Sequence, residues 1–415
     1  MRLIIKIATS WTLDTRSDAI IDTYENLINE LGDSPTLLIL SCSVAFNVEE
    51  VLATLRARAP NVPISGGTSC RGVMTQAGVH SQNGLGLGMF AILDPKGSYG
   101  VGAATIGENP ILAAETAINL ALKMANCPGE IPAMVWMMSA PGCEEVLISG
   151  ITSVLGNDVP ISGGSAADND VSGQWKQFAN DEVFSNAVVV TVLFPSTEVL
   201  FAFHSGYEPT DVKGIVTKVG KFGDKAQSVT GINQEGRILL EINGQSAAKV
   251  YDQWSAGLIS DTLDKGGNIM SKTTLHPLGR IAGYIGTVPY YQLSHPDTVT
   301  KKGGLSVFSN IALGDELTLM HGSVDSLVSR AGRVAKSALE VYSENPQDIA
   351  GALVVYCAGC MMAVQDRLDE VVDSLRIALP DVPFLGVHTF GEQGCFLGGE
   401  NRHGNLMISV LLFSK

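Results

Sequence analysis

A short motif occurs three times along the chain, and this internal repeat constrains the fold more than any other feature of the sequence. The copies are VPISGGTS at residues 62–69, VPISGGSA at 159–166 and VPFLGVHT at 382–389. The first two share six identical residues in a row, and the third keeps the Val-Pro pair and one glycine. Since chance does not easily produce this, we expect three related structural units.

The context of the motif repeats as well. Each copy follows an apolar run rich in β-forming residues and then a segment with helical periodicity. The runs are residues 36–43, 133–140 and 352–359. A strand, a helix and a second strand in this order form a βαβ unit, in which the two strands lie parallel.

Each βαβ unit is framed by further elements. A strand and a helix precede it (3–9 with 18–31, 99–106 with 110–125, 315–320 with 324–342), and a final strand follows it (85–93, 187–194, 406–413). The sequence therefore predicts an α/β fold with three modules at about 1–95, 98–195 and 313–415, built on parallel or mixed sheets. Residues 199–312 break the pattern and read as a β-rich bridging segment with one clear helix near 246–254.

Composition excludes several classes of partner. The chain has 27 Lys and Arg against 42 Asp and Glu, a net charge of −15. This balance argues against nucleic acid and against an anionic membrane surface. The longest apolar stretches, such as 187–194 and 405–413, are well short of the roughly 18 residues that span a bilayer. The start of the sequence has too short an apolar core for a signal peptide, and the seven cysteines are an odd number, so we expect free thiols in a reducing cytoplasm.

The candidate ligand site lies where the repeated strands end. In open α/β sheets, ligands bind at the carboxyl ends of the strands, and glycines let main-chain donors approach a ligand closely. The same glycines could instead serve only tight turns. The predicted ligand-binding residues at these ends are Ser41, Gly66, Gly67, Thr68, Ser139, Gly163, Gly164, Ser165, Cys357, Cys360, His388, Thr389, Gly391 and Glu392.

Thr389 and Glu392 are the predicted polar anchors of this site. A carboxylate between two glycines can approach a ligand amine. The alternative is that Glu392 caps a turn or pairs with a structural arginine such as Arg280, which we also include among the candidate site residues.

The cysteines of the third module suggest a rival function. Cys357 and Cys360 form a single C-x-x-C, which is weak evidence for zinc but compatible with a redox or nucleophilic role. A cysteine-dependent enzyme would use Cys357 or Cys360 with His388 and Glu392 as acid–base partners. The sequence leaves this alternative open beside a binding protein without catalytic groups.

The C-terminal signature VPFLGVHTFGEQG at 382–394 resembles the closing signature of the FIST sensory family. The stretch GYEP at 206–209, Val216-Thr217, LEINGQSAA at 240–248, HPLGR at 276–280 and LGDEL at 313–317 resemble the region that joins the two FIST halves. The copy GGTSC at 66–70 is similar to the family's first half. The chain departs where it has Cys360 in place of a common arginine and His388 in place of a common aromatic residue.

The resemblance implies a FIST N-terminal domain over 1–198, with the C-terminal domain beginning in the bridging segment 199–312 and ending in the module 313–415. It further implies a cytoplasmic sensory protein that binds a small ligand and signals to a separate partner such as a histidine kinase. The ligand it implies is either amino-acid-like or, as in the stand-alone subgroup, haem that senses nitric oxide. The residues do not select a cofactor, a metal ligand among the seven histidines, or an oligomeric state, and a homo-oligomer stays among the options.

Overall fold

The computed structural model describes residues 5–220, 236–342, 344–396 and 398–415. The predicted first strand, 3–9, therefore begins outside the described residues. The first module consists of β1 (Lys6–Thr12), α1 (Ser17–Leu31), β2 (Leu37–Cys42), α2 (Val48–Arg58), β3 (Ile64–Thr68), β4 (Val73–Thr75), β5 (Gly78–His80) and β6 (Leu87–Leu93). The Asn47 side chain accepts a hydrogen bond from the Glu50 amide at 3.3 Å and so caps the start of α2.

The second module repeats this order. It consists of β7 (Ser98–Thr105), α3 (Pro110–Met124), β8 (Met134–Ser139), α4 (Glu144–Leu155), β9 (Ile161–Ser165), β10 (Gln177–Ala179), β11 (Glu182–Phe184) and β12 (Ala187–Phe194). Asn109 caps α3 through a 3.2 Å bond from the Leu112 amide, and Pro110 occupies the first turn, where its missing amide proton costs nothing.

The third module is interrupted by the β-rich segment. Its first strand is followed by an insertion and then by the remaining elements. In chain order these are β13 (Val199–His204), β14 (Glu208–Val219), β15 (Ile238–Ile242), β16 (Gln245–Ser246), α5 (Ala247–Trp254), β17 (Gly267–Asn268), α6 (Met270–Thr273), β18 (Leu278–Ile285), β19 (Val288–Ser294), β20 (Pro296–Val299), β21 (Leu305–Val307), β22 (Glu316–His321), α7 (Val324–Tyr342), β23 (Ile349–Cys357), α8 (Ala358–Ala363), α9 (Leu368–Ala378), β24 (Phe384–Thr389), β25 (Glu392–Phe396), β26 (Glu400–Gly404) and β27 (Ile408–Ser414).

One prediction about the third module is wrong. The sequence assigned 315–320 as its first strand, but β22 belongs to the nine-stranded sheet of the inserted segment. The first strand is β13, which pairs with β27 as β1 pairs with β6. Because about 120 residues separate β13 from its helix α7, local sequence order does not reveal that they belong together.

The three modules form three six-stranded sheets that exchange hairpins. Their orders are β1-β6-β2-β3-β10-β11, β7-β12-β8-β9-β25-β26 and β13-β27-β23-β24-β4-β5. Each motif strand therefore pairs with its own middle strand in parallel and with a hairpin from another module in antiparallel. The mixed α/β sheets predicted from the sequence are confirmed, and the cyclic exchange ties each module to the other two.

The packing follows from these sheets. One face of each sheet contributes to a shared central core, which includes Phe90, Trp136, Val189, Val355 and Phe413. The opposite faces are covered by pairs of helices, α1 with α2, α3 with α4 and α7 with α9. This double coverage explains the near-continuous apolar strands. Within the described ranges, no helix is long and apolar enough to cross a membrane.

Candidate functional site

The three motif strands end at a common point, where three main-chain hydrogen bonds form a ring. The Ala167 amide donates to the Thr68 carbonyl at 2.8 Å, the Phe390 amide donates to Ser165 at 3.1 Å, and the Cys70 amide donates to His388 at 3.0 Å. The three acceptors occupy the same position in the three motif copies. Each donor lies two residues after the acceptor of its own module. The repeat in the sequence therefore corresponds to a threefold pseudosymmetric meeting of strand ends.

Two voids lie beside this ring. The first is a cavity of about 30 Å³, large enough for one or two water molecules. Its walls come from both halves of the chain and are formed by Val171, Met270, His295, Phe308, Cys357, Gly359, Met362, Thr389, Phe390 and Asn405. The predicted residues Cys357 and Thr389 meet here, on paired positions of β23 and β24.

The second void is an open groove of about 600 Å³, a size that suits a small molecule. Its polar walls are formed by Arg71, Ser81, Asn83, Asn169, Asp170, Gln365, Asp369 and His388. Of the residues predicted from the sequence to bind a ligand, only His388 lines this groove. Arg71 lies two residues after the end of the first motif copy, and this position was the signal that could have identified it.

A loop after β9 lines both the cavity and the groove. Asp168, which is fully buried, accepts hydrogen bonds from the amides of Gly173 at 2.7 Å and Gln174 at 2.8 Å, so the loop folds around its carboxylate. Within this loop, Asn169 and Asp170 face the groove while Val171 lines the cavity. Val171 has φ of +61°, a strained conformation for a β-branched residue, and such strain concentrates at functional sites.

The predicted glycines have tight structural surroundings. A Cβ at Gly66 would overlap the Leu40 carbonyl oxygen and the Phe178 ring, and a Cβ at Gly163 would overlap the Met137 carbonyl oxygen. A Cβ at Gly164 would collide with Thr389, and one at Gly391 with His403. These glycines permit close approach of neighbouring strands and modules. Their role in ligand binding stays a prediction.

The predicted hydroxyl residues lie buried within the three modules. Ser41 donates to the Gly67 carbonyl at 2.8 Å, Thr68 accepts from the Lys176 amide at 2.9 Å, and Ser165 donates to Glu144 at 2.7 Å. The Ser139 hydroxyl has no hydrogen-bond partner among the described residues.

Glu392 is buried and holds local partners. Its carboxyl oxygens accept hydrogen bonds from Thr389 at 2.9 Å and from the Met407 amide at 3.0 Å. Burial raises the pKa of Glu392 well above its ordinary value, because a charged carboxylate is poorly solvated inside the protein. The alternative pairing with Arg280 is wrong, because Arg280 pairs with Asp315 at 3.0 Å in the nine-stranded sheet.

Sequence reasoning missed a buried charge cluster at the start of α4. Arg237 is 1% exposed and donates from one nitrogen to Glu144 at 2.7 Å and Glu145 at 2.6 Å. His403 lies 4.0 Å from Glu144. Burial would raise the pKa of Glu144, but the neighbouring His403 and Arg237 outweigh it and lower that pKa to about 2. Glu144, Glu145 and His403 have the donor atoms for a metal ion, yet Arg237 already supplies the cation between the two carboxylates.

Two family models match the sequence, the FIST N domain over residues 36–245 and the FIST C domain over residues 247–395. The chain belongs to the FIST family. FIST domains are small-ligand sensory domains. The N-domain match extends into the β-rich segment, and the boundary between the two matches lies at the start of α5.

Comparisons outside the family are weak. No curated protein matches the sequence. A crystal structure of cyanuric acid hydrolase from A. caulinodans has 10% identity and a TM-score of 0.28, covering 55% of this chain and 84% of that one. Another cyanuric acid hydrolase structure has 10% identity and a TM-score of 0.33, covering 99% and 100%. PurLQS from Thermotoga maritima has 10% identity and a TM-score of 0.22, covering 99% and 72%. These scores are too low to support an argument about this FIST protein.

Residues from both FIST domains line the groove. Arg71, Asn169 and Asp170 belong to the part that matches the FIST N domain, whereas Gln365 and Asp369 belong to the part that matches the FIST C domain. A molecule in the groove would therefore contact both FIST domains at once.

Proposed function

We propose that this FIST protein is a cytoplasmic sensor that binds an amino-acid-like molecule in the groove between its two domains and signals to a separate partner such as a histidine kinase. The observation that supports this most is the charge distribution of the groove. A guanidinium and two carboxylates, from Arg71, Asp170 and Asp369, line one open void of suitable size.

Arg71 is the proposed anchor for a ligand carboxylate. Its guanidinium contacts only neutral acceptors among the residues that the structure describes, the Asn169 carbonyl and the Gln365 amide oxygen, both at 3.4 Å. Its backbone has φ of +57° and its amide donates to the Asn169 side chain at 2.7 Å. The side chain is thus held in place with its charge unneutralised, and arginine binds carboxylates in a bidentate manner.

Asp170 and Asp369 are the proposed partners of a ligand ammonium. Both are exposed, one on each side of the boundary between the domains. Glu392, the anchor predicted from the sequence, is less suited to this role because it is fully buried and its carboxyl oxygens already accept hydrogen bonds from Thr389 and the Met407 amide. The proposed ammonium site is therefore at the rim of the groove and not at the strand end that the sequence predicted.

In this proposal, the signal arises because the bound ligand contacts both domains. A ligand shifts a conformational equilibrium only if it binds one state better than the other. A zwitterion held by Arg71 on one domain and Asp369 on the other favours the arrangement in which the two lie close together. The loop at 168–174, which borders both voids, would carry the change inward.

The haem alternative fits these voids poorly. His388 has one feature of an axial ligand, since its Nδ1 lies 3.0 Å from the Cys70 carbonyl and its Nε2 is buried without a hydrogen-bond partner among the described residues. The groove walls, however, carry charged and amide side chains, and the cavity of about 30 Å³ is far below the size of a cofactor pocket.

The cysteine-enzyme alternative is also less favoured. Nδ1 of His388 lies at hydrogen-bond distance from the Cys70 carbonyl, and the Glu392 carboxyl group accepts hydrogen bonds from the Thr389 hydroxyl and the Met407 amide. Both acid–base candidates therefore have partners other than Cys357 and Cys360. Burial lowers the pKa of His388 to about 4. A general base needs to lie within hydrogen-bond reach of its nucleophile, and the described contacts do not show this.

A thermal-shift screen with individual amino acids tests the proposed function. We expect at least one amino acid to raise the melting temperature, because saturation at 100 times Kd adds about 2.7 kcal/mol. Its deaminated and decarboxylated analogues should each lose most of the shift, since each removes one charged contact. Hemin serves as the comparison. A Soret band with no response to any amino acid would contradict the proposal.

A further inference from the structure

The two cysteines of the C-x-x-C motif lie next to a buried cation. Cys357 and Cys360 are free thiols, 5% and 0% exposed, at the junction of β23 and α8. Their side chains are close enough for each to influence the pKa of the other. Cys360 also lies 3.5 Å from the Tyr207 hydroxyl. Two residues separate the cysteines in the sequence, and this C-x-x-C spacing is the one at which paired thiols interconvert with a disulfide in oxidoreductases.

The buried cation is Arg330 of α7, and it lacks a carboxylate partner. The side chain is 1% exposed, and one of its nitrogens donates to the carbonyls of Ser205 and Leu406. The other two nitrogens, Nε and Nη2, have no acceptor at hydrogen-bond distance within the described part of the chain. The guanidinium carbon lies 5.5 Å from the Tyr207 ring and 5.4 Å from the Tyr356 ring. A buried charge of this kind needs a counter-charge.

The acidic groups around Arg330 leave Cys360 as that counter-charge. Burial raises the pKa of Glu392, Tyr207, Tyr356 and Cys357, which disfavours the charged form of each group. Burial alone would raise the pKa of Cys360 as well. The neighbouring Cys357 thiol and the charge of Arg330 outweigh it, and the pKa of Cys360 falls to about 6.

The small cavity lies beside the pair, because Cys357 forms part of its wall. A void of about 30 Å³ admits a molecule close to the size of water, such as hydrogen peroxide, and excludes a bulky disulfide such as oxidised glutathione. The neighbouring strand carries Thr389 opposite Cys357, so a change at the pair reaches the ring of strand ends directly.

We propose that Cys357 and Cys360 form a redox site that hydrogen peroxide converts from a dithiol to a disulfide, a second input to this protein beside the small ligand. The anionic sulfur attacks one peroxide oxygen, so that an S–O bond forms, the O–O bond breaks and hydroxide leaves. The neighbouring thiol then attacks the sulfenic sulfur, so that the S–S bond forms and the hydroxyl leaves with the thiol proton as water. Peroxide is reduced and the two sulfurs are oxidised.

The test treats the full chain with hydrogen peroxide, unfolds it in excess iodoacetamide and maps the modified cysteines by mass spectrometry. We expect Cys357 and Cys360 to lose their reactivity toward iodoacetamide together and to appear in a disulfide-containing peptide that lacks two hydrogen atoms. This oxidation should be at least tenfold faster than the oxidation of Cys143. Cys143 is the matched control because it is the most accessible of the seven thiols, while burial raises its pKa to about 12. Faster oxidation of Cys143 would overturn the proposal.

Variants separate the redox role from a packing role. Cys360→Ser should reduce Cys357 oxidation to the rate of Cys143, and Cys357→Ser should leave a sulfenic acid at Cys360 that dimedone traps. Arg330→Lys keeps the charge and should preserve the thiolate absorbance below pH 7, whereas Arg330→Met should remove it. If Arg330→Met does not fold, the two serine variants still decide. Unchanged oxidation of Cys357 in Cys360→Ser would overturn the pairing.

Discussion

Replacing Arg237 with methionine should lower the free energy of unfolding by about 3–5 kcal/mol, the cost of leaving a buried charge without its partner. Arg237 joins the β-rich segment to the second module, because it is held by Glu144 and Glu145 at the start of α4. Glu144 is 2% exposed and cannot recover its solvation in water. Urea unfolding of the two proteins measures the difference.

The same variant has an expected pH dependence. The pKa of Glu144 is lowered in the folded protein to about 2, against about 4.3 in an unfolded chain. A carboxylate with a lowered pKa contributes its full stability above the unfolded value and loses it as the pH falls toward the folded value. Because the unfolded pKa is the same in both proteins, the gap between wild type and Arg237→Met should shrink as the pH falls from the folded pKa of Glu144 in the variant toward about 2, its folded pKa in wild type.

Two controls make this result specific. Arg58→Met removes an exposed arginine that pairs with Glu25 at 3.3 Å, and such surface pairs contribute about 0–1 kcal/mol. The double variant Arg237→Met, Glu144→Gln should recover part of the lost stability because it removes the unpaired charge. A loss of less than about 1 kcal/mol in Arg237→Met would show that the cluster does not hold the segment in place.

Replacing Gly66 with alanine should destabilise the protein by about 3 kcal/mol or more, at the upper end of the cost of overpacking a core. The added methyl group would meet the Leu40 main chain and the Phe178 ring, and the strand pairing between β2 and β3 leaves little room to move. Phe178 belongs to the hairpin from the second module, so the exchange between modules should weaken as well.

Gly107→Ala is the matched control for this prediction. A Cβ at Gly107 meets nothing within 4 Å, so its effect should stay within about 0.5 kcal/mol. Melting curves of both variants measure the contrast. Equal melting temperatures for Gly66→Ala and wild type would show that the glycine is not required by the strand packing, and its repetition would then need a functional explanation.

Most of the fold could be predicted from the repeated motif. Val62, Val159 and Val382 mark equivalent strand starts, and the apolar runs and helical periods around them were sufficient to predict the βαβ units, because local patterns specify such units. The hairpin exchange was not predictable, since β4, β10 and β25 are short strands whose partners lie in other modules. Long-range pairing of this kind leaves no periodic trace in a single sequence.

The candidate site was predictable in place but not in detail. Strand-end geometry brought Cys357, Thr389 and His388 to the two voids, as α/β sheets bind ligands at that edge. Arg237 was missed because a single arginine gives no pattern, and the only signal for Arg71 was its position close to the first motif copy. Their importance arises from what the fold places beside them, Asn169 and Gln365 in one case and the buried Glu144 with the partly buried Glu145 in the other.

The most direct test of the central claim is a calorimetric titration of the amino acid with the largest thermal shift into wild type, Arg71→Gln, Asp369→Asn and the control Arg58→Gln. The account predicts that Arg71→Gln weakens binding at least tenfold, about 1.4 kcal/mol, that Asp369→Asn weakens it measurably, and that Arg58→Gln leaves it unchanged. Equal affinity in wild type and Arg71→Gln would contradict a ligand site in the groove between the two FIST domains.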